Sequence, residues 1–292
     1  MRNLRHEVTL RILTELQAGV LPWRKPWSAT SGLNMPCNAV TRREYNGVNR
    51  VLLLMRSKKW PTPRWLTFKQ ALTLGGHVRK GEHGTKIYLV KDLQFAEEIE
   101  GQDEPDMRAV HLLREYTVFN VAQCEGLPAK IMEPPAPKPR HGDARNPEIE
   151  EFLAATGAKI REEGNRAQSI PSLDIIVMPP FISFDSASAY YGTLFHELAH
   201  WTGHKSRLDR NLGQRFNQAV HVAEELIAEL TAAFLCAEFS IDGDPGLPAY
   251  IGGYITLLED DDKAFFTICS KAQAALDFLR DLVLREPLQA AE

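Results

Sequence analysis

No apolar run in this chain approaches the ~20 residues a helix needs to cross a bilayer, so the sequence predicts no helical membrane span and no membrane partner. Cysteine is scarce: Cys37, Cys124, Cys236 and Cys269 are far apart and never form a CxxC pair. That spacing excludes a disulfide framework and a cysteine-built zinc site, and it points to a reducing compartment, expected to be the cytoplasm. Internal repeats are also missing. The first twenty residues start with charge but mix apolar and polar positions, so they read as an amphipathic helix rather than a signal peptide. A chain of 292 residues, 44% apolar and 25% charged, has the composition of a soluble globular protein and room for two domains.

The net charge of -4 hides an asymmetry. Residues 1–140 carry 22 Lys and Arg against 14 Asp and Glu, whereas residues 141–292 carry 12 against 24. One cationic half joined to one anionic half suggests two jobs. The seam is "EPPAPKPRHGDARNP", residues 133–147, whose five prolines favour an extended, semi-rigid linker. The expected division is therefore 1–132, a linker at 133–147, and 148–292.

The predicted class is α+β. In the first half, helices are expected at 3–18, ending at Gly19, at 49–60 and at 67–76, the last stopped by a double glycine. Strands are expected within 85–93 and 107–124, with the acidic stretch 97–106 as an exposed loop between them. The second half reads as mostly helical, with one strand, "LDIIVMPP" at 173–180, before the helix that carries the histidines.

That helix contains "FHELAHWTGH", residues 195–204. His196 and His200 are four apart and share a helical face, at a separation suited to one divalent ion held through two imidazoles. Glu197, one step round, can take a proton from a water there. This is an HExxH arrangement, in which neutral imidazole suits zinc or another divalent ion and the carboxylate serves as general base. A catalytic zinc usually takes three protein ligands. His204 is one candidate, but the HExxHxxGxxH pattern would place its last histidine at position 206, which is Ser206. The better candidates lie in "AEELIAELTAAF", where Glu225 and Glu229 share one face of an apolar helix. Buried carboxylates are costly without partners. One would ligate and the other would accept a ring N–H from a ligand histidine; the sequence leaves the choice open. Glu224 reads as solvated, His221 as packing or as an outer partner of the site, and Gly203 as the end of the helix. Arg207 and Arg210 read as surface groups or as partners for substrate carboxylates or for the acidic 259–262.

The basic half interleaves cations with rings: Trp23, Arg24, Lys25 and Trp27; Arg42, Arg43, Tyr45, Asn46, Asn49 and Arg50; then Trp60, Arg64, Trp65, Phe68 and Lys69. "GGHVRKGEHGTK" adds a glycine-rich loop with Arg79 and Lys80. A cationic groove with rings for stacking is how single-stranded nucleic acid is held, and the signatures of duplex readers are missing. Single-stranded DNA is the partner these residues point to, with Trp23 and Trp27 expected to be exposed.

Taken together, "LPWRKPW", "REYNGVN", "WLTFKQALTLGGHVRKGEHGTKIYLV" and "YTVFNVAQCEGL", followed by "HELAHWTGH" and "EELIAELTAAFL", resemble the ArdC-type antirestriction proteins of conjugative plasmids. The resemblance covers nearly the whole chain. It implies an N-terminal single-stranded-DNA-binding domain and a C-terminal zincin-like metallopeptidase domain. It also implies protection of incoming DNA from host restriction during conjugation, with a protein substrate or a restriction enzyme as a further partner. The glutamate-type zincin spacing would make Glu225 the ligand and Glu229 the orienting carboxylate.

Overall fold

The computed structural model describes residues 3–23, 35–57, 60, 62–97, 106–133, 144–241 and 250–285. The fold is α+β, as expected. Helix α1 (Leu4–Gln17) begins where the Asn3 side chain accepts the His6 N–H, and the chain leaves it through Gly19 at φ +75°. There follow β1 (Cys37–Asn38), α2 (Gly47–Ser57), β2 (Arg64–Thr67) and α3 (Phe68–Thr73). A capping box between Thr67 and Gln70 starts α3. The double glycine that stops it has two separate reasons. Gly75 sits at φ +81°, and a Cβ on Gly76 would lie 2.6 Å from the Glu125 carbonyl oxygen.

Strands β3 (His77–Val78), β4 (Thr85–Glu97), β5 (Asp106–Asn120) and β6 (Cys124–Glu125) and the short helix α4 (Ala129–Met132) complete this half. The main sheet runs β1-β2-β5-β4. Its long antiparallel pair is in register from Thr85 opposite Val118 to Glu97 opposite Asp106. The two ends of the acidic stretch expected as a loop are thus the ends of these strands, and 98–105 lie outside the described residues.

The second half contains α5 (Pro147–Thr156), β7 (Lys159–Glu162), β8 (Gln168–Ile170), β9 (Ile175–Met178), α6 (Ala187–Thr202), α7 (Gly213–Phe216), α8 (Val220–Glu238), α9 (Ile251–Asp260) and α10 (Ala264–Arg285). Asn146 caps α5, with Pro147 in its first turn, so the proline-rich stretch ends inside a helix start. One strand was expected here and three are present. β9 is the centre of a β7-β9-β8 sheet and is buried along all four residues. Its neighbours, "KIRE" and "QSI", are short and largely polar and leave no apolar signal in the sequence.

The two halves share the largest core cluster, while two smaller ones, around Leu66 and around Trp65, lie within the first half. α1 packs against α9 and α2 against α10, and a single apolar cluster runs from Val8, Leu16 and Leu52 to Leu230, Phe265 and Leu276. Trp23 belongs to this cluster. It is 2% exposed, with its ring 6.1 Å from Tyr254 and 6.2 Å from Phe265. The expected exposure of Trp23 is therefore corrected: helices from the far end of the chain cover it. Among the described residues, no helix is long and apolar enough to cross a membrane.

Candidate metal centre

Helix α6 is set by Ser186, whose hydroxyl accepts the Ala189 N–H. From Tyr190 to Leu198 its side chains are almost all buried, so it runs through the core and carries His196 and Glu197 inward. Helix α8 packs against it and buries Ala223, Leu226, Ile227 and Leu230. Where the two meet, His196 Nε2 and His200 Nε2 lie 3.1 Å apart. Glu225 places Oε2 3.4 Å from the first ring and Oε1 3.6 Å from the second.

Metal bonds of ~2.0–2.1 Å in a tetrahedron put donor atoms about 3.3 Å apart. The three side chains therefore already sit near the edges of such a polyhedron, and two imidazoles with one carboxylate are a donor set suited to zinc. His196, His200 and Glu225 are the group of potential ligands found among the described residues. They line a cavity of about 790 Å³ with Glu197, Glu224, Glu229, His221 and Tyr250.

Glu229 is buried one turn along α8 and lines the same cavity, outside that ligand group. His204 also lines this cavity but lies outside the ligand group, its Nδ1 2.8 Å from the Ser206 hydroxyl. The imidazole of His221 lies 3.7 Å from Glu225 and edge-on to Tyr250. Arg207 is spent within the fold. It pairs with Asp174 at 2.6 Å, donates to the Trp201 carbonyl, and lies 3.8 Å over the Trp201 ring. Neither Arg207 nor Arg210 reaches 259–262; Asp261 is met by Arg215 and Asp262 by His6.

Glu224 was missed. Its Oε1 lies 3.1 Å from His200 Nδ1, the position expected for Glu229. Arg210 grips the same carboxylate, with Nε donating to Oε2 at 2.8 Å and Nη2 to Oε1. Burial raises the Glu224 pKa, but the hydrogen bonds from His200 and Arg210 outweigh it and bring it down to about 2. The sequence signal was the adjacent pair Glu224–Glu225: consecutive helical residues can flank an imidazole from both sides.

Glu197 Oε2 accepts the Ser169 backbone N–H at 2.7 Å. Ser169 lies in β8, the sheet's outer strand on this side, whereas β9 is flanked on both sides. With no strand beyond β8 in its sheet among the described residues, the Ser169 amide owes its protection to this carboxylate. Hydrogen exchange should show that amide protected in the intact chain and fast in Glu197→Ala; equal rates would remove the contact.

His200 also sets a pH dependence. Burial lowers its pKa, but the hydrogen bond and charge of Glu224, with Glu225 and Glu197, raise it above the ordinary imidazole value. Without metal, the stability contributed by protonated His200 is full below the unfolded pKa of ~6.5 and is lost as pH rises through the higher folded value. Metal needs the neutral ring, so stabilisation by a bound ion should grow over the same interval. Melting curves at stepped pH should therefore slope oppositely without metal and with saturating zinc. Parallel slopes would contradict the pairing of His200 with the glutamates.

Of the residues expected to touch nucleic acid, Arg24, Lys25 and Trp27 lie outside the described residues. Asn49 is buried, exchanging hydrogen bonds with the Tyr88 backbone. Arg50 is fully buried on Glu44 and over the Phe234 ring, and burial brings its pKa down to about 10. The expected surface role of Trp23, Asn49 and Arg50 thus gives way to packing. Tyr45 is half-buried, and Arg79 is bound to Glu82 at 2.7 Å.

Arg42, Arg43, Asn46, Lys69 and Lys80 are exposed. The turn of Arg42 and Arg43 folds back on Asn38, whose amide bonds Gln70 of α3. Beside it Phe68 is 52% exposed, with its ring 6.5 Å from Phe119. Phe119 in turn lies over Gly84, where a Cβ would meet its ring at 3.0 Å. Lys86, reaching Thr117, borders the same patch.

The second half is zincin-like: the zincin-like metallopeptidase family model matches residues 147–271, and the model for the N-terminal domain of anti-restriction factor ArdC matches residues 2–119. The metal-free crystal structure of antirestriction ArdC from plasmid R388 superposes with a TM-score of 0.84, at 36% identity over 97% of this chain and 98% of that one. Its Mn(II)-bound structure gives 0.78 at 37% identity, covering 98% and 100%. The chain belongs to the ArdC antirestriction family. It is also 35% identical to the uncharacterized protein y4eC of Sinorhizobium fredii, over 95% of this chain and 91% of that protein. DNA primase TraC of Escherichia coli is 37% identical over 94% of this chain, which spans about a quarter (26%) of that primase.

Proposed function

We propose that this protein protects incoming DNA from restriction during conjugation by binding single-stranded DNA through its N-terminal half and cleaving a protein, such as a restriction enzyme, with a zinc-dependent peptidase site in its C-terminal half. The observation that carries the reading is the convergence of His196, His200 and Glu225 beside the buried carboxylate of Glu197. His196, His200 and Glu225 would hold the ion. A divalent ion there supplies Lewis acidity, polarising a carbonyl and acidifying water. Glu197 takes the proton from the attacking water and hands it to the leaving amine. An extended peptide lying along the outer edge of β8 would take over the Ser169 amide from Glu197.

The DNA reading rests on the patch of Phe68, Phe119, Lys69, Lys86, Arg42 and Arg43. Phe68, about half exposed, would supply a ring for a base to stack on, and the cations would track phosphates. The family resemblance at residues 2–119 supports assigning this role to the N-terminal half. Glu197→Gln tests the peptidase reading: it should abolish cleavage and keep zinc and DNA binding. If Glu197→Gln protects DNA from restriction as well as the wild type does, the protein acts as a shield and the peptidase reading falls.

A further inference from the structure

Two adjacent glutamates of α8, Glu224 and Glu225, enter the same cavity, yet Glu225 joins the ligand group and Glu224 does not. What separates them is Arg210. Its side chain is 2% exposed and makes four contacts beyond its own loop. Nε and Nη2 hold the two oxygens of Glu224, Nη1 donates to the Thr202 hydroxyl at 3.0 Å, and Nη2 reaches the Ala199 carbonyl at 2.9 Å. Both carboxylate oxygens are thereby occupied, and the one contact left to Glu224 on the metal side is His200 Nδ1.

The guanidinium fits where it does because residue 203 has no side chain: a Cβ there would lie 2.7 Å from Arg210 Nη2. Gly203 caps the end of α6, as expected, but at φ −73°, ordinary right-handed backbone, so the glycine is needed there for space and not for conformation.

We infer that Arg210, seated on Gly203, is the positioning residue of the metal centre: it fixes Glu224 as the acceptor for His200 Nδ1–H, so that His200 presents Nε2 to the ion and Glu225 is the glutamate that ligates. This rests on the reading of the site as a metal centre. The chemistry is that of an outer carboxylate setting a ligand histidine's tautomer, here with the carboxylate itself clamped bidentately by a buried arginine. Without the clamp, Glu224 is free to turn toward the ion or to leave His200, and the ring loses its fixed tautomer.

The test uses the full chain and zinc alone. Competition titration should show affinity falling 10–100-fold in Glu224→Gln. A comparable fall is expected in Gly203→Ala, which keeps every charge and blocks only the guanidinium's seat. Histidine nitrogen NMR of the unloaded protein, at a pH where His200 is neutral, should show its proton on Nδ1 in the wild type and divided between the nitrogens in both variants. A purely structural role for Arg210 would move melting temperatures and leave that tautomer alone. Should Gly203→Ala fail to fold, Glu224→Gln decides. Tight zinc binding by the wild type, with affinity within twofold and an unchanged tautomer in the variants, would overturn the inference. A wild-type chain that binds no divalent ion would instead bring down the reading of the site, and the inference with it.

Discussion

Glu225→Ala is expected to lower zinc affinity by well over a hundredfold while leaving the fold intact. The reason is geometric. Glu225 alone on α8 brings an oxygen to both imidazoles, at 3.4 and 3.6 Å. Losing it leaves two donors where a catalytic zinc takes three. An outer partner such as Glu224 costs 10–100-fold, so a ligand must cost more. Glu225 is partly exposed at the cavity wall, so its removal opens no apolar void, and the unloaded protein should melt near the wild-type temperature. Glu229→Gln makes the comparison, since it lines the cavity outside the ligand group; a larger loss there than in Glu225→Ala would reverse the assignment. Isothermal titration of both variants is sufficient.

The second large effect separates a core tryptophan from a surface ring. Trp23→Ala should destabilise the chain by about 3–5 kcal/mol, the range for truncating a large buried aromatic, because its ring fills the space between α1 and the Tyr254 and Phe265 side chains. Its effect on DNA affinity should vanish once measured well below the melting temperature. Phe68→Ala should do the reverse. Its ring is half in solvent, so stability should change by no more than about 0.5 kcal/mol, while affinity for a single-stranded oligonucleotide falls by the equivalent of ~1–3 kcal/mol. If Phe68→Ala binds DNA like the wild type, the stacking platform lies elsewhere. Denaturant melts paired with fluorescence anisotropy at fixed salt would read both variants.

The contrast between these residues shows what the sequence could carry. His196, His200 and the pair Glu225 and Glu229 were legible because the constraint is local: four-residue spacing puts two imidazoles on one face, and carboxylates on an apolar helix demand partners, although those residues alone did not choose between the two glutamates. The helices were legible for the same reason, periodicity and caps being written within a dozen residues. Glu224 was not, because its role depends on Arg210 reaching back across Gly203 from a loop with no periodic signal. Trp23, Asn49 and Arg50 misled because cations, rings and prolines have one composition whether they line an open groove or plug a core. Contacts with Tyr254, Phe265 and Phe234 decided the matter, and those lie far along the chain. Strands β7 and β8 escaped notice as short polar partners of the apolar β9, although β8 supplies the amide that holds Glu197.

Because α1 lies on α9 and α2 on α10, the largest interior is finished only when both halves are present. Severing the chain within the proline-rich stretch would leave two pieces with raw greasy faces, prone to precipitate instead of working apart. The intact protein should melt in one calorimetric step, and its two proposed tasks can be teased apart only by single substitutions in the whole molecule.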